Sequence, residues 1–306
     1  MRALAQNQSA ATAIRSAAPF RQFVSEFCES KLAVGGFFVF SAILFVAIFA
    51  PLISPQDPYD LAGLNILDAR EPPGSESISG GMTYWLGTDA QGRDMLSAIF
   101  YGLRTSLVVG AMSAFIALCI GMCIGLTAGF ASGWVDTIIM RIVDLQLSFP
   151  SILVALMLLA VLGQGVDKII IALVIVQWAY YTRTVRASAL VERRREYVEA
   201  VRCLGLSRRR IVFRHLLPNC LPPLIVVGTV QVAHAIALEA TLSFLGLGLP
   251  PTEPSLGLLI ANGFDYMMSG RYWISLFPGV ALLLTIISIN LVGDKLRDVL
   301  NPRLQQ

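Results

Sequence analysis

The chain is predicted to be an all-α integral membrane protein with six transmembrane helices, and three observations predict it. Apolar residues make up 56% of the 306 positions against 14% charged, and mean hydropathy is +0.69, beyond the soluble globular range. Six apolar segments, about 32–53, 105–130, 137–162, 168–186, 223–246 and 274–293, are each close to or above the ~20 residues a bilayer core requires. Basic residues are segregated: with a cytoplasmic amino terminus, eighteen of the 23 Lys and Arg fall inside and five outside. Both termini are then cytoplasmic.

The elements follow in order. Residues 1–31 form a polar cytoplasmic tail without the form of a cleavable signal. Within it, Phe20, Phe23, Val24 and Phe27 recur at helical spacing beside Arg21, Glu26 and Glu29. Two readings stay open, an amphipathic helix on the membrane surface or a helical extension of the first span. The first span and an outward loop occupy 32–104, and "EPPGSESISGGM" in that loop has the composition of a flexible linker. The second span carries Gly121, Gly125 and Gly129, a small-residue ladder suited to close helix packing. Pro150 and Pro222 fall inside or at the edge of spans, where kinks are tolerable. Arg141 and Asp144, three apart, are expected to pair with each other or to sit at the cytoplasmic interface. The link between the last two spans is long and faces outward, with a re-entrant or surface-lying part expected. Residues 294–306 are a cytoplasmic tail. Five scattered cysteines and two distant histidines suggest neither a disulfide framework nor a metal site.

The most charged interval lies between spans four and five, at about 187–222. In "EYVEAVRCLGLSRRRIVFRHLLPN", Tyr197, Val201 and Leu204 share a helical face, with Val198 and Ala200 alongside, and Glu196, Glu199 and Arg202 lie opposite. Gly205 suits a left-handed helix end. Ser207 offers an N-cap to a second helix, Arg208 to Leu217, which Pro218 and Asn219 end or redirect. The arginines alone suit anionic lipid headgroups. An apolar helical face on such a loop points instead to a docking surface for a protein partner.

The motifs here are specific enough to name a family. Glu199, Ala200, Gly205 and Leu217-Pro218 resemble the EAA motif of membrane subunits of bacterial binding-protein-dependent ABC importers, with Val201 in place of the second Ala and His215 where Ile is common. "RHLLPN" looks like the form frequent in the peptide-importer branch. "WLGTDAQGRDMLSAIFYGLRTSL" resembles a signature of the dipeptide/oligopeptide permease family, with Ala98 where Arg is frequent. "EATLSFLGLGLPP" and "NLVGDKLRDVLNPR" extend the likeness to the carboxyl terminus, and Leu256 stands where Trp is frequent. The leading span and signature loop look like the "C"-type subunit.

This resemblance implies a type I ABC importer permease fold over 105–293 and a subunit resident in the bacterial cytoplasmic (inner) membrane. It implies a second permease subunit, two ATP-binding subunits, and a periplasmic or lipid-anchored binding protein as partners. It also implies a coupling surface, assigned to Glu199, Ala200, Val201, Arg202, Leu204, Gly205, Arg208, Leu217 and Pro218. No G-x-x-x-x-G-K-[ST] occurs, so the chain itself is expected to bind no cofactor, and ATP and Mg belong to the partner ATPases. No catalytic cluster suggests an enzyme and nothing suggests nucleic-acid binding. Cargo is expected to be di- or oligopeptides, with nickel, glutathione or another small solute as the alternative. An ion-driven carrier would need a midplane cluster of ionisable groups, of which Glu239 alone is a hint. Glu239 is a candidate for the substrate path, by contact with a substrate amino group; a buried pair holding the bundle is the preferred reading.

Overall fold

The computed structural model describes residues 19–60, 64–78, 80–131 and 133–300; the side chains at 19, 20, 22, 23 and 202 lie outside that description. Helix α1 (Pro19–Cys28) is separated from α2 (Lys31–Ile53) by Ser30, whose hydroxyl accepts the Ala33 amide at 3.3 Å. That cap gives α2 its own start, so α1 is not a plain extension of the first span. The expected stripe through Phe20 and Phe23 lies outside the described side chains, while Phe27 meets Phe37 edge-on at 6.2 Å.

Helix α3 (Met95–Ala131) is 37 residues long and starts well before its apolar run. Asp94 starts it, its carboxylate accepting the Ser97 amide at 2.8 Å and hydroxyl at 2.6 Å. The expected third span, 137–162, is two helices, α4 (Trp134–Ser148) and α5 (Ser151–Leu162), bent by 89°. Pro150 has no N–H to continue the ladder and restricts the residue before it; Phe149 is extended (φ −89°, ψ 141°). Helix α6 (Val166–Glu192) follows, then α7 (Glu196–Cys203) and α8 (Arg208–Arg210). A π-helical turn, Ile211–Leu216, runs from α8 into α9 (Leu217–Phe244). Helices α10 (Leu256–Phe264) and α11 (Trp273–Leu300) complete the chain.

Among the described residues, α2, α3, the continuous α8–α9 rod and α11 are long and apolar enough to cross a membrane, four candidates, or five where the bent α4–α5 pair is counted as one span, against the six expected. Helix α6 has the length, 27 residues, but Gln177, Thr182, Arg183 and Arg186 dilute its apolar run from the middle onward.

The core centres on α3 against α6 and α9. A Cβ at Gly121 would stand 2.5 Å from Tyr181 Cβ and 2.7 Å from the Trp178 carbonyl. At Gly125 it would meet the Thr182 carbonyl and Val185 Cβ at 2.7 Å, and at Gly129 the Ala189 Cβ at 2.7 Å. The ladder thus lets α3 and α6 touch backbone to backbone. Two ion pairs clamp α4 to the same helix: Arg186 Nη2 donates to Asp136 Oδ2 at 2.7 Å, and Arg183 Nη2 to Asp144 Oδ1 at 2.7 Å. Asp144 therefore finds its partner across the helix interface and not in Arg141. The reason is geometric, since α4 lies along α6 with Gln146 Nε2 donating to the Ile175 carbonyl at 3.2 Å.

At the opposite end, the stretch expected to be linker is a tied knot. Ser75–Glu76 pairs antiparallel with Thr83–Tyr84. Asp68, fully buried, accepts from Ser77 Oγ at 2.8 Å, Ile78 N at 2.9 Å and Tyr84 OH at 3.0 Å. The signature loop is as firmly held. Asp89 accepts from Gln91 N (2.8 Å), Arg93 N (2.9 Å) and Arg93 Nε (2.7 Å), and the guanidinium of Arg93 is fully buried, reaching the Pro251 carbonyl at 3.5 Å. Trp273 Nε1 donates to the Thr88 carbonyl at 3.2 Å, and Arg70 lies over the Tyr266 ring at 5.2 Å. Composition reads as linker here because the anchors are tertiary. Helix α10 belongs to this cap; it is inserted into the fold, with Leu256 and Leu259 fully buried. Leu256, which stands where the family resemblance has Trp, packs over Gly102.

Candidate coupling site

The arginine end is built on α7. Its first turn follows Glu192 and Arg195, whose side chains approach to 3.6 Å. Val198 is the side chain that seats the helix, fully buried. Tyr197 holds it laterally: its hydroxyl donates to Glu192 Oε2 at 2.8 Å and accepts from Asn219 Nδ2 at 3.0 Å. Asn219 Nδ2 also donates to the His215 carbonyl at 2.7 Å. Burial, and then the Glu192 carboxylate, push the Tyr197 phenol up to about 12, so it remains a neutral donor throughout the physiological range. The sequence pattern missed Tyr197 and Asn219 as a pair. A signal was present, since both are polar and each lies beside a motif residue.

With α7 seated on Val198, Glu199 and Ala200 are exposed, Val201 is half-buried, and Leu204 stands 76% exposed at the tip. The expected face of Tyr197, Val201 and Leu204 is therefore divided between inward and outward sides. Arg202 lies on α7, and its side chain is outside the described residues. Gly205 takes φ +72° with open space around it, the left-handed turn that a helix end of this type needs. Ser207 has extended dihedrals but no side-chain cap bond; its carbonyl accepts from Ile211 N at 3.1 Å.

Pro218 does not end the second helix. The π-helical turn before it bonds Leu217 N to the Val212 carbonyl, five residues back. That widened turn gives room for the proline ring, whose clash with the preceding turn would break an α-helix. The rod therefore continues from the arginines to Phe244 without interruption. Leu217 is half-buried and Pro218 exposed at the start of α9.

Between α7, the start of the rod and the ends of α3 and α6 lies a groove of about 1050 Å³. Arg193, Arg194, Arg208, Arg209 and Glu199 line its polar side. Arg193 Nη1 donates to the Gly129 carbonyl at 2.9 Å, which joins the last rung of the glycine ladder to the loop. Arg208, Arg209, Arg210 and Arg214 are exposed, and no ion pair among the described residues uses them. A short helix ending in an open glycine turn and flanked by exposed guanidinium groups can be gripped by an acidic-rimmed partner surface.

Glu239 lies elsewhere, in α9 and fully buried. Ser106 Oγ donates to its Oε2 and Ser243 Oγ to its Oε1, each at 2.8 Å. The contact with α3 makes it a cross-helix tie.

Comparison with known proteins agrees with this architecture. Residues 121–306 match the family described as binding-protein-dependent transport system inner membrane component, and residues 18–73 match the N-terminal TM domain of oligopeptide transport permease C. The dipeptide transport system permease protein DppC of Escherichia coli K12 is 42% identical over 288 residues, 94% of each chain. The di/tripeptide transport system permease protein DppC of Pseudomonas aeruginosa is 38% identical over 287 residues, covering 94% of this chain and 93% of that one. A solved chain of the MetNI methionine ABC transporter, inward facing, superposes with a TM-score of 0.56 at 21% identity, over 68% of this chain and 98% of that one. This last likeness speaks for the fold. The chain thus belongs to the inner-membrane components of binding-protein-dependent transport systems and is an ABC importer permease subunit.

Proposed function

We propose that this subunit imports small peptides, dipeptides foremost, by alternating access, and that partner ATPases drive it through α7. The observation that carries the cargo reading is the near-full-length similarity to dipeptide permeases, 42% identity over 94% of both chains. The coupling reading is supported by exposed Glu199, Ala200 and Leu204 on a helix seated by Val198, beside the open turn at Gly205. Glu199 contacts the ATPase, Val201 and Leu204 enter an apolar seat, and Arg202 and Arg208 add electrostatic docking. Leu217 and Pro218 join this interface to the continuous rod, and buried Val198 with the Tyr197–Asn219 bond ties α7 to it across the Gly205 turn, so a displacement of α7 reaches α9. Two global states then differ in how the rod and α3–α6 stand relative to the second permease subunit. The arginine end faces the cytoplasm, and the knotted cap faces the binding protein.

The test is uptake of labelled L-alanyl-L-alanine into proteoliposomes containing this chain, its second permease subunit, both ATPases and the binding protein. Glu199→Lys and Gly205→Pro are expected to cut uptake per ATP hydrolysed at least about tenfold while the chain still inserts and copurifies with the second permease subunit. Wild-type stoichiometry in both variants would refute coupling through α7.

A further inference from the structure

Roughly midway along α6 and α9, four polar side-chain atoms have no hydrogen-bond partner among the described residues: Gln177 Oε1, Tyr181 OH, Gln231 Nε2 and His234 Nδ1. Gln177 and Gln231 are 0% and 6% exposed, and the bond between them runs from Gln177 Nε2 to the Gln231 carbonyl at 3.2 Å. Tyr180 and His234 bring this seam to the surface. Their rings meet edge-on at 6.5 Å, Tyr180 is exposed and His234 is half-buried. Ser151 Oγ lies 3.5 Å from Tyr180 OH, so the seam reaches the break between α4 and α5. Tyr180 and His234 are each about 15 Å or more from either end of their helices at 1.5 Å per residue.

Hydrocarbon can satisfy none of these groups, and a tyrosine and a histidine presented to lipid at this depth would be costly. They face a water-filled path or another protein surface. A span interrupted beside them, at mid-depth, is the arrangement by which membrane carriers place a binding point inside the bilayer.

We infer that Ser151, Tyr180 and His234, backed by Gln177 and Gln231, form the site that contacts the peptide backbone in transit; this rests on the peptide-importer reading above. The chemistry is specific to that ligand class. Amide, phenol and imidazole groups supply both donors and acceptors, matching the N–H and C=O of a peptide unit. Arg183, one turn beyond Tyr180 on α6, is already engaged by Asp144 at 2.7 Å, so the unpartnered groups of the seam are amide, phenol and imidazole, suited to a peptide backbone.

The assembled transporter in proteoliposomes tests this, with the binding protein saturated by L-alanyl-L-alanine. Tyr180→Phe removes one hydroxyl and His234→Leu removes the imidazole; each is expected to slow uptake about tenfold and to raise the ATP hydrolysed per peptide moved. Independently, His234→Cys in a cysteine-free background is expected to react with a small charged methanethiosulfonate reagent. Liganded binding protein with nucleotide should slow that reaction about fivefold or more, a protection that a merely structural residue would not show. Wild-type uptake by both substitutions overturns the inference. So does a cysteine that is unreactive, or unprotected, in every nucleotide state, which would place the seam against the second permease subunit. A wild-type complex that moves no dipeptide overturns the cargo reading instead, and with it the ligand class assigned here.

Discussion

Gly125 shows how little tolerance a single position has in this bundle. A Cβ there would stand 2.7 Å from both a backbone carbonyl and a Cβ of α6, neither of which is a flexible side-chain end. Gly125→Val is therefore expected to destabilise the purified complex by about 1–3 kcal/mol, read as a lowered Tm. Gly228→Ala, with nothing within 4 Å, should leave Tm unchanged or slightly raised. Equal effects from the two would show that contact geometry does not govern the response. The four-residue glycine spacing made this packing legible in the sequence. Spacing could not say which of three neighbouring apolar side chains on α7 turns inward. Val198 does, because the Tyr197–Asn219 bond fixes the helix's rotation, and that partner lies 22 residues away. Glu239 was legible as a costly intramembrane carboxylate, whereas Ser106, its partner on α3, is 133 residues distant.

At the scale of elements, the knot at 64–94 depends on a carboxylate. Burial alone would raise the Asp68 pKa, but hydrogen bonds from Ile78, Ser77 and Tyr84 outweigh it and hold the carboxyl below its ordinary value. The sign follows from linkage. The unfolded loop takes up a proton near pH 4 while the folded loop does not, so the stabilisation is complete above about pH 4 and is lost as pH falls through the depressed folded value. The Ser75–Tyr84 hairpin should therefore resist an acid-active protease at pH 5 and become cleavable towards pH 3. Asp68→Ala should make it cleavable already at pH 5; resistance of that variant would show that the carboxylate is not the anchor. This element was hidden because Pro, Gly and Ser in 71–82 look alike in a linker and in a tight hairpin. The break at Pro150 was hidden for a related reason. Apolar residues flank it on both sides, so hydropathy runs straight through an 89° turn.

For the whole molecule, the split of eighteen basic residues against five predicts one orientation, with the arginine end in the cytoplasm. Alkaline phosphatase fused after Glu76 should be active, and fused after Ser207 inactive, because that enzyme matures only outside the cytoplasm. The reverse pattern would invert the assignment of both ends. The architecture at this scale was readable chiefly because the motifs are local and specific. The family resemblance resided in short segments, and the fold they implied superposes on 98% of a solved permease chain. The residues proposed for the path were not readable, since Tyr180 and His234 lie on helices far apart in sequence and neither belongs to a motif.

Arg93 links these scales in the order of synthesis. Its guanidinium is buried against Asp89 and reaches Pro251, 158 residues further along the chain. The cap cannot close until that later segment has been made and brought alongside. At about 5–20 residues per second, the signature loop waits roughly 8–30 s with its arginine uncovered. During that interval the nascent chain presents, uncovered, an arginine that the finished fold buries completely to whatever proteases and chaperones it meets.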